Sequence, residues 1–217
     1  MTDTRLSPEG IFLPVSALRA AAMIAPKSDV RFYLCGILLE RRDGVTRLVT
    51  TDGLSMLVQV ITEADNPGED LELILPRHFG EMKRPAKRES QLLHLEIDWT
   101  QAPPRLTGYH NGDKVEGFAI DGKYPNWRSV VPDRPTGEVS FLDTRYLDLM
   151  HRAALEVRAG PEDKTKPRLN IYQNGHGPAV LRFRTNPYVL GLVSPYREPD
   201  TADAWPTISY LKNGSAV

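Results

Sequence analysis

Apolar and polar positions alternate along most of this chain, and three times the alternation gives way to helical spacing. The changes fall in Gly10–Ile24 (GIFLPVSALRAAAMI), Leu71–Ser90 (LELILPRHFGEMKRPAKRES) and Glu138–Leu155 (EVSFLDTRYLDLMHRAAL). Each stretch reads as a short apolar strand, a Leu followed by Pro or Asp, then an amphipathic helix. The marker residues Leu13, Leu75 and Leu142 are separated by 62 and 67 residues, a near-fixed period that points to repeats of one unit.

Strand patterns follow each helix. In the first unit Pro14 suits a first helical turn, and the helix ends before Pro26. The pattern then gives a strand over Asp29–Arg41, broken or bulged at Gly36. An Asp43-Gly44 hairpin, a strand over Val45–Thr51, an Asp52-Gly53 turn and a strand over Leu54–Ile61 follow. The second unit has a strand over Leu71–Leu75 and a helix from about Pro76 that Pro85 interrupts. Its later strands run over Leu92–Trp99, Arg105–His110 and Lys114–Ile120, the last two flanking Asn111-Gly112. In the third, a strand from Glu138 leads to a helix capped by Asp143 or Thr144, with Tyr146, Leu149, Met150, Ala153 and Val157 as its buried stripe. Strands over Arg168–Tyr172, Ala179–Arg184 and Tyr188–Val193 close it.

The fold expected is therefore α+β, three β-α-β-β-β units with helices on one face of antiparallel sheets. Residues 1–10 form an arm, 11–62 and 71–132 pair as one domain, 138–197 make a third half-domain, and 198–217 form a tail. One such unit leaves its sheet edges open, so sheets are expected to continue between units and between subunits.

The composition is that of a globular protein: 217 residues, 41% hydrophobic, 25% charged, net charge −1. Nothing in that total favours nucleic acid, but a neutral sum can hide a basic face. The single cysteine, Cys35, cannot form an internal disulfide, which suits a reducing cytoplasm, and its apolar run suggests burial. There is no signal region and no apolar run long enough to span a bilayer. The five histidines have no metal-ligand spacing, and no phosphate loop or nucleophile elbow occurs. No cofactor, metal or catalytic residue is expected. Asp52 in TTDG reads as a turn residue rather than an acid catalyst.

One local charge feature stands out. Arg77, Lys83, Arg84, Lys87 and Arg88 oppose only Glu81 between residues 77 and 88. Phosphate contact would use such a cluster without regard to base sequence. The other helices add Arg19, Lys27, Arg145 and Arg152, and helices in matching repeat positions should share a surface.

DVRFYLCGILLE, RLVTTDGLSM, LILPRHFGEMKR and DGKYPNWRSVVP resemble the middle domain of the bacterial DNA polymerase III beta subunit, the sliding clamp. VSFLDTRYLDLMHRAAL and VLGLVSPYRE resemble the last half of its third domain. The resemblance spans roughly residues 10–197. It implies paired half-domains, twelve of which close a ring around duplex DNA and tether a polymerase without catalysing anything. The implied partners are double-stranded DNA, a DNA polymerase and other proteins carrying clamp-binding motifs, and a clamp loader. The implied place is the cytoplasm, on the nucleoid. Three halves per chain make a homotetramer the expected ring, closed by head-to-tail contacts. The alternative is a clamp-like protein that does not encircle DNA and instead competes for clamp-binding peptides or caps a host clamp.

Carried over by resemblance, the helix residues Arg19, Lys27, Arg77, Lys83, Arg84, Lys87, Arg88, Arg145 and Arg152 face DNA, with Arg31 and Tyr33 at the rim. A partner-peptide pocket is expected from Leu34, Thr51, Gly53, Leu54, Met56, Pro125, Val130, Val193, Pro195 and Arg197. The family has His-Arg after TDG. Here Leu54-Ser55 stand instead, which alters the pocket's charge pattern and implies a different peptide. The tail cluster Trp205–Leu211 is expected to pack on the sheet or to be loosely ordered, with a fold-back into the groove as the alternative.

Overall fold

The computed structural model describes residues 10–62, 66–157 and 168–196. The first unit runs β1 (Ile11–Pro14), α1 (Val15–Ile24), a 3-10 turn (Phe32–Cys35), β2 (Gly36–Arg42), β3 (Val45–Thr51) and β4 (Ser55–Val60). The second runs β5 (Leu71–Pro76), a 3-10 turn (Arg77–Gly80), β6 (Leu92–Asp98), β7 (Arg105–His110) and β8 (Asp113–Phe118). A connector with a 3-10 turn at Trp127–Val130 leads to α2 (Thr144–Glu156), β9 (Leu169–Tyr172), β10 (Ala179–Phe183) and β11 (Val189–Val193).

These strands form two antiparallel sheets, ordered β1-β6-β7-β8 and β5-β2-β3-β4-β11-β10-β9. The first two units exchange their leading strands. Unit one's β1 pairs with β6, placing Leu13 opposite Leu93. Unit two's β5 pairs with β2, placing Leu75 opposite Ile37. Units one and three are joined edge to edge, β4 against β11, with Leu57 opposite Gly191. Hairpins turn where the dipeptides foretell, and Asp43-Gly44 and Asn111-Gly112 both take the positive φ such turns require.

The apolar residues sort into three clusters. One packs α1 and Phe79 over the sheets of units one and two. A second joins α1 to α2 through Ala20, Ile24, Met150 and Ala153. The third lies on the large sheet's outer face and holds no residue of α1 or α2. It gathers Leu34, Leu38, Val49, Met56, Val58, Val180 and Leu192 beneath the connector's Tyr124 and Trp127. Each fully buried Leu here contributes about 1.5–3 kcal/mol. Four alanines in α1 (Ala17, Ala20, Ala21, Ala22) let neighbours approach, so it is buried on nearly all sides.

Several expectations need correction. Unit two has no α-helix. Gly80 lies where an added Cβ would overlap the Leu18 carbonyl oxygen, and Pro85 follows, so too few residues remain to nucleate and extend a helix. No strand forms over Glu138–Leu142; the segment is tied instead to the turn after β9, Gly175 donating its N–H to the Glu138 carbonyl at 3.0 Å and Ser140 its N–H to the Gln173 side chain at 3.1 Å. The run before Gly36 is a 3-10 turn, not a strand, and Cys35 is half-buried. As expected, Asp143 caps α2, its carboxylate accepting the Arg145 N–H at 2.8 Å.

Candidate nucleic-acid interface and peptide groove

α1 lies between α2 on one side and the Arg77–Gly80 turn on the other. Arg77 fixes that turn by donating to the Ala25 carbonyl at the end of α1, 3.0 Å away. The chain after Gly80 then crosses the C-terminal end of α2. Glu156 takes the charges that meet there. Arg19 donates to it at 3.2 and 3.3 Å, and Arg84 lies 2.9 Å from its Oε2. Burial pushes the Glu156 carboxyl up, but the two guanidinium hydrogen bonds outweigh it and hold the group below the usual glutamate range. Arg19 also donates to the Met82 carbonyl. The segment thus has no helical hydrogen bonds of its own and is held by side-chain ties to α1 and α2.

Lys83, Arg84, Lys87 and Arg88 all remain exposed on that segment. Lys27 is exposed just past α1. On α2, Arg145 pairs with Asp143 at 2.6 Å and Arg152 with Asp148 at 3.0 Å, which dilutes their charge. The structure therefore brings Arg19, Arg77, Lys83, Arg84, Lys87 and Arg88 into one patch beside the helix row. Its most exposed basic side chains are Lys83, Arg84, Lys87 and Arg88, of which Arg84 pairs with Glu156. Arg31 and Tyr33 lie apart from it. Arg31 chelates Asp29 at 3.0 and 2.8 Å and donates to the Asp52 carbonyl at 3.1 Å. Tyr33 packs against the outer core.

The residues expected to line a peptide pocket divide by sheet face. Leu34 and Met56 are in the outer cluster, already covered by Tyr124 and Trp127. Val193 instead faces α2 in the inner core and cannot line the same groove. Its neighbours Leu190 and Leu192 point outward. Thr51, Gly53 and Leu54 form a rigid turn. The Asp52 carboxylate accepts the N–H groups of Leu54 and Ser55 at 2.9 and 2.6 Å, and Thr51 Oγ1 accepts the Gly53 N–H at 2.9 Å. Ser194 donates to the Leu54 carbonyl at 2.7 Å, and Tyr196 to the Phe141 carbonyl at 2.6 Å. The turn, residues 194–196 with Pro195, and the segment before α2 thus run side by side. Leu54 (53% exposed) and Val130 (49%) offer open apolar surface, and Pro125 is exposed on the connector. Arg197, the tail cluster and residues 1–9 lie outside the described residues.

Sequence reasoning missed what holds the connector down. Arg128 donates to both Glu40 oxygens at 2.8 and 2.6 Å and stacks on Trp127 at 4.2 Å. The Arg128 hydrogen bonds keep the Glu40 carboxyl below its ordinary range. The Tyr124 hydroxyl accepts the Thr51 N–H at 3.0 Å, and its burial pushes its pKa well above the usual tyrosine value. The available signal was a lone Glu inside an apolar strand run, facing an Arg in a connector rich in aromatics.

In solved structures this architecture has close counterparts. A DNA polymerase sliding clamp from Pseudomonas aeruginosa superposes with a TM-score of 0.62 over 91% of this chain and 69% of that one, at 16% identity. The DNA polymerase III subunit beta from Borrelia burgdorferi gives 0.65 over 92% and 66%, at 14% identity. The fold is that of the bacterial sliding clamps. In sequence, the chain is 29% identical over 106 residues to the beta sliding clamp of Buchnera aphidicola and 31% over 114 residues to that of Proteus mirabilis. Those stretches cover 48% and 51% of this chain but 28% and 29% of the relatives, so the match is to a part of a longer clamp chain. No family model matches.

Proposed function

We propose that this chain is a sliding clamp subunit that assembles into a ring around duplex DNA and tethers a DNA polymerase or other replication proteins. The observation that carries this reading is the row formed by α1, α2 and the Arg77–Gly80 turn on one side of continuous sheets, with exposed basic residues 83–88 beside it. The likeness to beta sliding clamps supports it. The chain's role is binding rather than catalysis. The helix side, with Lys27, Arg145 and Arg152 at its margins, faces the phosphates. The opposite side, with Leu54, Pro125, Val130 and Pro195 at the connector and turn, receives a short apolar peptide. Thr51 and Gly53 supply that turn, and Leu34 and Met56, buried beneath the connector, support it from below.

Three units per chain close a ring of twelve with four copies. A ring holds DNA by topology, so affinity for the phosphates can stay low and salt-sensitive while attachment stays durable. The test is retention on a nicked circular duplex, with a clamp loader supplied, followed by a salt wash and by linearisation. Protein that survives salt on the circle and leaves on linearisation supports encirclement. Equal loss from circle and line overturns it and moves the non-encircling competitor for clamp-binding peptides to the front.

A further inference from the structure

Units one and two each lend the other a strand, β1 to β6 and β5 to β2. Unit three holds both halves of the same arrangement and completes neither. Its residues 138–142 occupy the place of β1 in the repeat, Leu142 standing where Leu13 does. In β1, the backbone of Phe12 turns away from β6 and is capped by the Asn66 side chain at 2.7 and 2.9 Å. In unit three the matching Phe141 carbonyl is likewise capped, by the Tyr196 N–H. Ser140 and Leu142 then hold the positions of Ile11 and Leu13, which face β6; within one chain the Ser140 N–H rests on the Gln173 side chain at 3.1 Å and the Glu138 carbonyl on the Gly175 N–H at 3.0 Å, contacts that the exchange replaces with those of a second copy.

The receiving edge is also incomplete. β9 is the last strand of its sheet and has no second neighbour among the described residues. Ile171 stands directly opposite Leu181 and so shares its face. Leu181 is 0% exposed but Ile171 is 42% exposed. A hollow of about 530 Å³ lies along this edge, lined in part by Gly137, Ile171, Tyr172 and Gln173. Val139 beside it is 73% exposed, with Phe141 and Tyr172 also open.

We propose that residues 138–142 cross to a second copy of this chain and pair antiparallel with its β9, while the copy's segment pairs with β9 here. Donor strand and receiving edge belong to the same unit, so the surface is self-complementary, and one two-fold axis satisfies both exchanges. The pairing turns two third units into one domain built like units one and two. It covers Ile171, Tyr172, Val139 and Phe141 together.

A second edge follows the same rule. β4 and β11 close units one and three and pair antiparallel with each other. β8 closes unit two and has no outer neighbour among the described residues. His78 Nε2 lies 2.9 Å from the Glu116 carbonyl on this edge; once that ring moves aside, two copies of β8 can pair as β4 and β11 do, around another two-fold axis. Alternating the two contacts orders the units 2-1-3, 3-1-2, 2-1-3, 3-1-2, a closed ring of four chains with dihedral symmetry. This replaces the head-to-tail closure expected from the repeat count. Perpendicular two-fold axes exchange the faces of a ring, so each face presents two of the four peptide grooves. Only this last step rests on the ring proposed above.

The experiment places the photo-reactive residue benzoylphenylalanine at Val139 in the full chain. Chains labelled with nitrogen-14 and nitrogen-15 are mixed, irradiated and mapped. Cross-links of mixed label from residue 139 to residues 169–172 are expected. Cross-links confined to one chain, whether to β9 or to residues 198–217, overturn the exchange. The variant Ile171→Lys, checked for folding by circular dichroism, should lower the assembly from four chains to two. An unchanged assembly in that variant also overturns the exchange. Mixed-label cross-links in a particle of two chains uphold the exchange and remove the ring, so the two readings fail separately.

Discussion

Glu40 lies in β2 with its side chain 6% exposed, and Arg128 from the connector closes on it. Arg47 also approaches, at 3.5 Å. Replacing Arg128 with Ala leaves this carboxylate with one distant partner, which should cost about 1–3 kcal/mol. The connector should loosen first, read as faster amide exchange over residues 121–132 and a lower Tm. Gly80 gives a second check. Its Ala variant drives a Cβ into the Leu18 carbonyl and the Ala22 side chain, a backbone contact that cannot yield cheaply. A loss of about 1–3 kcal/mol in denaturant unfolding is expected. Glu156 gives a third. Its folded-state pKa lies below the unfolded value because Arg19 and Arg84 hold the anion. Its contribution is therefore full above the ordinary glutamate pKa of about 4.3 and fades as pH falls through the lower folded value. The Tm gap between the wild type and Glu156→Gln should be widest near neutrality and close in acid. A gap that persists unchanged at pH 3 would show that the ion pairs do not stabilise the fold.

The segment after Gly80 is where sequence and structure part most. Its basic residues are plain in the sequence, but their helix is not formed, since Gly80 must pass under α1 and Pro85 denies the next turn. What orders it is tertiary: Arg19 reaching Met82, and Arg84 reaching α2. No local pattern encodes such ties. By contrast unit one was legible nearly whole, because α1 carries helical spacing and each strand is bounded by a turn dipeptide. The segment over residues 138–142 has a strand's alternation, but no strand forms there because its backbone bonds go to the turn after β9. At the groove, alternation alone leaves the face of β11 undecided, and the resemblance put Val193 outward where its core contacts put it inward. Changing Lys83, Lys87 and Arg88 together to Ala, with Arg84 left on Glu156, should leave unfolding stability within about 0.5 kcal/mol, as for exposed surface sites. The slope of log affinity against log salt for duplex DNA should drop by about 3. An unchanged slope would place DNA elsewhere.

For the whole molecule, the unit order and edges matter more than any single contact. Two sheets run across unit boundaries, and each ends in an edge that matches an edge already paired inside the chain. A ring built on these edges needs no new kind of contact, only repetition of the β4–β11 junction and of the strand exchange. Edges of this kind left open would also invite aggregation, so dilution should expose sticky intermediates before it yields stable single chains. The measurement that bears most directly on this assembly is solution mass by light scattering across a dilution series. Four chains per particle, each of 24.3 kDa, are expected to persist through the micromolar range. A stable single chain over that range would contradict both the ring and the strand exchange.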